Sequence, residues 1–238
     1  MPDTGTTDAA DAFAAAGVVG VVGVQETAGT HEVVSAHTLE IYRIQHEAPP
    51  DAVIVGIDEV GRGAVAGPLT VAAVVLPRTP MIEGLDDSKK LSARQRERLC
   101  VKISQTACAI GIAHVEAHRI DTLGMAYALR QAMCEALAAT GVEPDLVLID
   151  GIPMHIHPKE RAIVKGDALV ASIAAASIVA KVTRDAIMSA LDETYPAYGF
   201  AQNKGYASAA HIAAIQKEGL TELHRATFCQ GFLQESLF

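Results

Sequence analysis

Residues 52–63 read Ala52-Val53-Ile54-Val55-Gly56-Ile57-Asp58-Glu59-Val60-Gly61-Arg62-Gly63. A short apolar, β-branched run of this kind forms a buried strand, and here it ends in two adjacent carboxylates. Two acids placed where a buried strand meets the surface repel each other and lose hydration, so a bound cation is their natural partner. The glycines flanking Arg62 allow close backbone approach to a bulky ligand, and a guanidinium there suits a phosphate or a sugar edge. The segment therefore predicts a metal acting beside a phosphodiester.

Outward from it, Leu69 to Leu76 is a second short apolar run, and Gly67-Pro68 makes the turn of a hairpin of buried strands. From Ser92 the pattern becomes charged and helical through about Gln105, with Ser92 as N-cap and Leu99 and Ile103 on one face. Ala109 to Val115 reads as a third strand. A helix over Met125 to Ala139 stops at Thr140-Gly141, and Leu146-Val147-Leu148-Ile149 is a short buried strand that delivers Asp150 to a Gly151 turn. Ala162 to Val164 is a candidate last strand. The alanine-rich segment from Leu169 to about Thr194 reads as a long helix closed by Pro196, with Asp167 at or just before its first turn. Residues 207 to 217 read as one more helix, and Glu218 to Phe238 shows no regular pattern. Three strands in succession, then helices alternating with short strands, imply an α/β fold with a mixed sheet covered by helices.

The 238 residues are 50% apolar and 20% charged, enough for one domain with a sizeable core and extensions. Residues 1 to about 50 are rich in Ala, Gly, Val and Thr, with at most a short amphipathic stretch at His37 to Gln45. They read as a flexible N-terminal extension ending at Pro49-Pro50. Phe13 to Val24 is too short to span a bilayer and follows Asp8 and Asp11 rather than bases, so neither export nor membrane insertion is expected. Cys100, Cys108, Cys134 and Cys229 form no C-x-x-C pair and read as reduced thiols of a cytoplasmic protein. A formal charge of −9 argues against indiscriminate polyanion binding. Bases nevertheless cluster locally, at Lys89-Lys90 with Arg94, Arg96 and Arg98, at Lys159 to Lys165, and at Lys181 with Arg184.

Asp58, Glu59, Asp150 and Asp167 each stand at a change of element beside a glycine. Oxygen-only ligands select hard cations, so magnesium or manganese is expected rather than zinc. Any one acid at a strand end is compatible with a turn former or a helix cap, and Asp167 alone with a cap. Asp58-Glu59 has no such reading, and Ile149-Asp150-Gly151 ends a strand too short to need an acid.

The chain resembles the type 2 ribonuclease H family, ribonuclease HII, through nearly all of residues 53 to 228. The family signature Gly-x-Asp-Glu-x-Gly-Arg-Gly stands as Gly56 to Gly63, followed by Gly67-Pro68. Further blocks stand as Asp87-Ser88-Lys89-Lys90-Leu91, Ile149-Asp150-Gly151 and Lys165-Gly166-Asp167. Later come Ala175 to Asp185 (Ala-Ala-Ser-Ile-Val-Ala-Lys-Val-Thr-Arg-Asp), Tyr198-Gly199-Phe200, Lys204-Gly205-Tyr206 and His224-Arg225. The resemblance implies a ribonuclease H-like five-stranded mixed sheet over residues 51–206 and a small helical C-terminal extension over 207–238 that contacts nucleic acid.

It also implies an endonuclease, acting as a monomer, that cuts the RNA strand of RNA-DNA hybrids and incises duplex DNA 5′ of an embedded ribonucleotide. The expected products carry 3′-hydroxyl and 5′-phosphate ends. Asp58, Glu59, Asp150 and Asp167 are the implied catalytic cage for two Mg2+ or Mn2+ ions. Gly61, Arg62 and Gly63 are the expected readers of the 2′-hydroxyl, since main-chain groups beside glycine reach a sugar unobstructed. Tyr206 matches the family tyrosine that packs against the sugar on the DNA side of the junction. Lys89, Lys90, Lys181 and Arg184 are expected phosphate contacts, with Ser88, Thr183 and Ser177 as hydroxyl donors.

Three features depart from the family pattern: the long N-terminal extension, Thr227-Phe228-Cys229 where Ser-Phe-x-Pro is usual, and His155-x-His157. The last looks like a metal pair but reads better as part of a variable surface loop. A phosphate-loop reading of Gly61, Gly63 and Gly67 fails on spacing. A non-catalytic hybrid-binding module would not need all four acids. Type 3 ribonuclease H shares this core but carries a larger N-terminal domain and lysine between the two glycines, where this chain has Arg62.

Overall fold

The structure, a computed structural model, describes residues 34–233. Five strands form one sheet in the order β3-β2-β1-β4-β5: β1 (Ile54–Val60), β2 (Leu69–Val75), β3 (Ala109–Val115), β4 (Leu146–Asp150) and β5 (Glu160–Ile163). β1 and β2 form the expected antiparallel hairpin, and β3 extends it antiparallel. β4 and β5 run parallel to β1 on its other side. β1 is thus central, and its C-terminal end lies beside that of β4.

Every residue of β2 is buried, which is why its sequence shows no alternation: both faces of the sheet are covered. On one face Val55, Ile57, Val71 and Ala73 pack against α5 (Met125–Ala139), through Leu129, Ala132, Met133 and Ala136. On the other, Ala72, Val74, Ile110 and Ile112 meet α3 (Ala93–Thr106) and the long α7 (Ala171–Thr194). α3 starts at a full capping box: the Ser92 hydroxyl accepts from the Gln95 N–H, and the Gln95 side chain accepts from the Ser92 N–H.

α7 is alanine-rich on the face that lies against β1. A Cβ on Gly56 would stand 2.2 Å from the backbone carbon of Ser172, so strand and helix touch backbone to backbone there. Two residues along the strand from Gly56 is Asp58, and about one turn along the helix from Ile173 is Ser177. The close approach therefore brings that serine to the acid.

Two sequence expectations change. Helices α1 (Ala36–Ile41) and α2 (Arg43–Glu47) form part of the body rather than of a flexible extension: Ile41 and Tyr42 lie in the core, and the Tyr42 hydroxyl accepts from the Ile82 N–H at 3.0 Å. The sequence hides this because the buried stretch is short and flanked by polar residues. The segment Phe13 to Val24 lies outside the described residues.

The helix expected from Leu169 is two pieces, α6 (Gly166–Leu169) and α7, separated by Val170 in an extended conformation. Val170 turns inward to Ile54, Leu148 and Ile173, and that burial interrupts the helix. Beyond Tyr206, α9 (Ala209–Glu218) and α10 (Ala226–Leu233) pack around Phe200, Ile215 and Cys229, with α8 (Phe200–Asn203) between them and the core. The remaining helix, α4 (Ala117–Leu123), had no clear pattern in the sequence. The four cysteines are free thiols, and no described helix is long and apolar enough to cross a membrane.

Candidate active site

The strand register brings the acids together. Ile57 pairs with Ile149 across β1 and β4, so the next residue on each strand is a carboxylate, Asp58 and Asp150. Asp58 is 6% exposed. Burial, then the neighbouring charge of Glu59, push its carboxyl well above the usual carboxylate range; Asp150 adds to the shift, and hydrogen bonds from the Ser177 hydroxyl and the Glu59 N–H oppose it. Glu59 is raised mainly by burial and further by Asp150, with Arg62 lowering it across a 3.8 Å contact.

Asp150 accepts the Gly166 N–H at 2.6 Å. That bond, with Lys165 in a left-handed conformation, turns the chain so that Asp167 faces the same rim. Asp167 does not cap α7: its carboxylate meets Lys89 Nζ at 3.5 Å, and Lys89 also lies 3.9 Å from Asp87. The Asp167 carboxyl is raised by burial and then by the charges of Asp150 and Asp87, against the pull of Lys89.

All four sequence-predicted acids thus share one rim and interact electrostatically. Among the described residues, no three His, Cys, Asp or Glu side chains draw together into one ready cage. The donor set nevertheless fits hard cations: it is oxygen only, largely buried, and its mutual repulsion is only partly offset by Lys89 and Arg62. His155 and His157 are not part of it. Their loop is closed by Glu160, which accepts the N–H groups of Met154, His155 and Ile156 at 2.7, 3.1 and 2.7 Å.

Beside the rim, Gly61 has φ +88°, and a Cβ there would collide with the Arg184 side chain, whereas Gly63 has open space above it. The segment is therefore tight below and free above, with Arg62 and Gly63 exposed to a ligand. Tyr206, 37% exposed, lies on the neighbouring loop. That loop is bound to the first one: the N–H groups of Val65 and Ala66 both donate to the Gly205 carbonyl, at 2.8 and 3.1 Å.

The remaining predicted contacts divide. Lys89 and Lys90 are exposed, the first on Asp167 and the second on Asp86 at 2.9 Å. Lys181 is paired with Asp185 at 2.7 Å. Ser88 is buried and its hydroxyl lies 2.9 Å from that of Ser177, so it supports Asp58 through Ser177 rather than facing a phosphate. Thr183 is fully buried and is no substrate donor.

Arg184 is corrected most. It is 0% exposed and donates to three carbonyls, Pro68 (2.8 Å), Lys204 (2.7 Å) and Ala66 (3.0 Å), with its guanidinium 5.5 Å from the Tyr206 ring centre. A phosphate contact is replaced by a buried strut. Arg225 does the same for Arg62 and Gly67, whose carbonyls it reaches at 3.1 and 3.0 Å. Sequence reasoning missed both roles: Arg184 stands on α7 among Lys181, Thr183 and Asp185, a setting that gives no local sign of burial.

A mixed five-stranded sheet with carboxylates gathered at the ends of its two central strands, beside a glycine-flanked arginine, defines a nuclease of the ribonuclease H fold. The comparisons narrow the class. The family model for ribonuclease HII matches residues 55–231, and the chain belongs to that family. It is therefore a ribonuclease H, an endonuclease of the RNA strand of RNA-DNA hybrids.

A ribonuclease HII of Acetivibrio thermocellus is 47% identical over 181 residues, covering 76% of this chain and 71% of the relative. The ribonuclease H2 of Pyrococcus horikoshii superposes with TM-score 0.64 at 26% identity, covering 76% of this chain and 99% of that one. The ribonuclease HII of Archaeoglobus fulgidus, solved in complex with PCNA, gives TM-score 0.63 at 27% identity, over 78% and 98% of the two chains. A Bst ribonuclease HIII solved with Mn2+ shares the fold alone, at 18% identity and TM-score 0.58 over 85% and 73% of the chains.

Proposed function

We propose that this ribonuclease HII, acting as a monomer, incises duplex DNA on the 5′ side of an embedded ribonucleotide as well as cutting hybrids, with two divalent cations at the acid rim. The observation that carries this reading is the gathering of Asp58, Glu59, Asp150 and Asp167, whose repulsion the protein leaves only partly compensated. These four carboxylates would hold the ions, Mg2+ or Mn2+, which supply water activation and charge stabilisation in the displacement.

The chain's own residues do the rest. Ser177 and the Glu59 N–H orient the Asp58 carboxylate, and the Gly166 N–H orients Asp150. Gly61, Arg62 and Gly63 offer main-chain groups to the 2′-hydroxyl from the open side above Gly63. Tyr206 packs against the next sugar. Because the reading segment begins one residue beyond Glu59, after Val60, a ribose seated on it brings its phosphate to the acids.

The test is cleavage of three duplexes by the purified protein with Mg2+ or Mn2+: one holding a single ribonucleotide, a long RNA-DNA hybrid, and DNA alone. Nicking is expected 5′ of the ribonucleotide, cutting of the hybrid, and none of DNA. Asp58→Asn is expected to lose cleavage by more than about a hundredfold, since even changes behind metal ligands cost about 10–100-fold, while substrate binding survives. Undiminished cutting by that variant removes the cage assignment.

A further inference from the structure

Two histidines that the chemistry does not use, His211 on α9 and His224, meet in the interior, 0% and 4% exposed. Their Nε2 atoms are 3.1 Å apart. Two ring nitrogens at that distance need one proton between them, and the outer partners decide whose it is. His224 Nδ1 lies 3.0 Å from the Thr221 N–H, which only donates, and 2.9 Å from the Thr221 hydroxyl, which can donate to it as well, so this nitrogen is bare and His224 carries its proton on Nε2. His211 Nε2 must then accept, which puts the His211 proton on Nδ1, 2.9 Å from the Tyr206 carbonyl.

The order of donation runs in one direction, Thr221 N–H to His224, His224 to His211, His211 to Tyr206. Both rings are neutral in it. Burial pushes both histidines below their usual range, His224 to about 4, in agreement with the hydrogen-bond order. Tyr198 and Phe200 pack against both rings and keep water out. At its other end the relay reaches the first reading loop: His224 forms an antiparallel bridge with Ala66, the Gly67 N–H donates to Leu223, and the Arg225 N–H donates to Val65.

We propose that His211 and His224 are positioning residues for ribonucleotide recognition, a neutral clasp that holds Tyr206 at a fixed place relative to the Gly61-Arg62-Gly63 segment. The proposal rests on the reading of Tyr206 given above. The Ser208 N–H also donates to the Tyr206 carbonyl, at 2.8 Å, so loss of His211 loosens the loop without releasing it. The effect should fall on the substrate that depends on Tyr206, the single ribonucleotide at a junction, more than on a long hybrid that offers many registers.

His211→Phe keeps the ring packing and removes the donor; His211→Asn keeps a donor near Nδ1. With the full chain and Mg2+, His211→Phe is expected to lower kcat/KM on the single-ribonucleotide duplex about tenfold more than on the hybrid, roughly one hydrogen bond's worth. His211→Asn should restore most of it. Equal losses on both substrates, or none, overturn the clasp. Tyr206→Ala is run alongside: a selective loss there without one in His211→Phe defeats this proposal alone, and no selective loss in either defeats the Tyr206 reading and the clasp with it. Should His211→Phe fail to fold, ¹⁵N NMR of the unmodified protein at neutral pH decides. Nδ1-protonated His211 with Nε2-protonated His224 supports the clasp, and the opposite tautomers or a charged ring overturn it.

Discussion

Charge is buried in two neighbouring regions of this protein, and the two are treated in opposite ways. At the rim, Asp58 and Asp167 are only 6% and 5% exposed, and the cations near the acids, Lys89 and Arg62, stand at 3.5 and 3.8 Å and are themselves exposed. Under the reading loops, Arg184 and Arg225 are both 0% exposed and form no ion pair among the described residues, yet they donate to the carbonyls of Pro68, Lys204, Ala66, Arg62 and Gly67. Arg184 places three nitrogens on fixed carbonyls and Arg225 two, its buried Nε having no partner among the described residues, and a guanidinium held this way is part of the scaffold. Buried carboxylates that repel each other await a ligand. The difference between scaffold and site therefore lies in what remains unsatisfied, not in the amount of buried charge.

The largest test of that contrast is Asp58→Asn, which should cost most of the activity and yet stabilise the metal-free protein. The sign follows from the raised Asp58 carboxyl. Between the ordinary carboxylate range and the raised value, the folded protein holds a proton that the unfolded chain has lost, so stability falls as pH rises through that window and stays lower at neutral pH. Asparagine has no proton to lose. In chelator at pH 7 the variant should melt higher than the parent, by about 2–4 °C for each kcal/mol recovered, and the two should converge near pH 4. Added Mg2+ should raise the parent more than the variant. A parent that melts higher in chelator at pH 7 would show that the rim is already compensated.

Next in size is Arg184→Met. It leaves three carbonyls without their donor, at about 1 kcal/mol or more apiece, so a fall in melting temperature of roughly 6–12 °C is expected without substrate or metal. A phosphate contact on the surface would leave the melting temperature unchanged and weaken substrate binding alone. Arg184→Lys should recover only part of the loss, because one ammonium cannot span the carbonyls of both loops.

The same contrast marks what the sequence discloses. Strand β1 and its acids are legible because a run of β-branched residues ending in Asp58-Glu59 has one physical reading, and β3 and α5 carry clean boundaries at Ala109–Val115 and Met125–Ala139. The four acids are legible as a set because each stands at or beside a change of element next to a glycine. Arg184 is not, because a lone arginine on a helix is usually a surface residue, and its burial depends on carbonyls contributed by residues 66, 68 and 204, far away in the chain. The histidine pair is hidden for the same reason: 13 residues separate its members, and neither has a local pattern. Tyr42 belongs to the core through Ile82, a long-range partner that no local periodicity announces.

The smallest effect, and the one that probes the rim from inside, is expected from Ser177→Ala. The Ser177 hydroxyl is the side chain that helps to hold the Asp58 carboxyl down, and it also lies 2.9 Å from the Ser88 hydroxyl. Removing it pushes the carboxyl further up, so a larger fraction of Asp58 is protonated at any pH on the acid side. If the ionised form is the one that holds the cations, the acid limb of the pH-rate profile moves to higher pH while the plateau above it stays nearly unchanged. The cost at a fixed acidic pH should be about tenfold, the lower end of what one hydrogen bond to a charged group is worth, because the Glu59 N–H still donates to Asp58 at 2.8 Å. A uniform loss at every pH would instead mean that Ser177 only anchors the Asp87 to Lys90 loop through Ser88. Rate profiles of the two proteins from acid to neutral pH separate these outcomes, because only the titration of Asp58 shifts the limb without lowering the plateau.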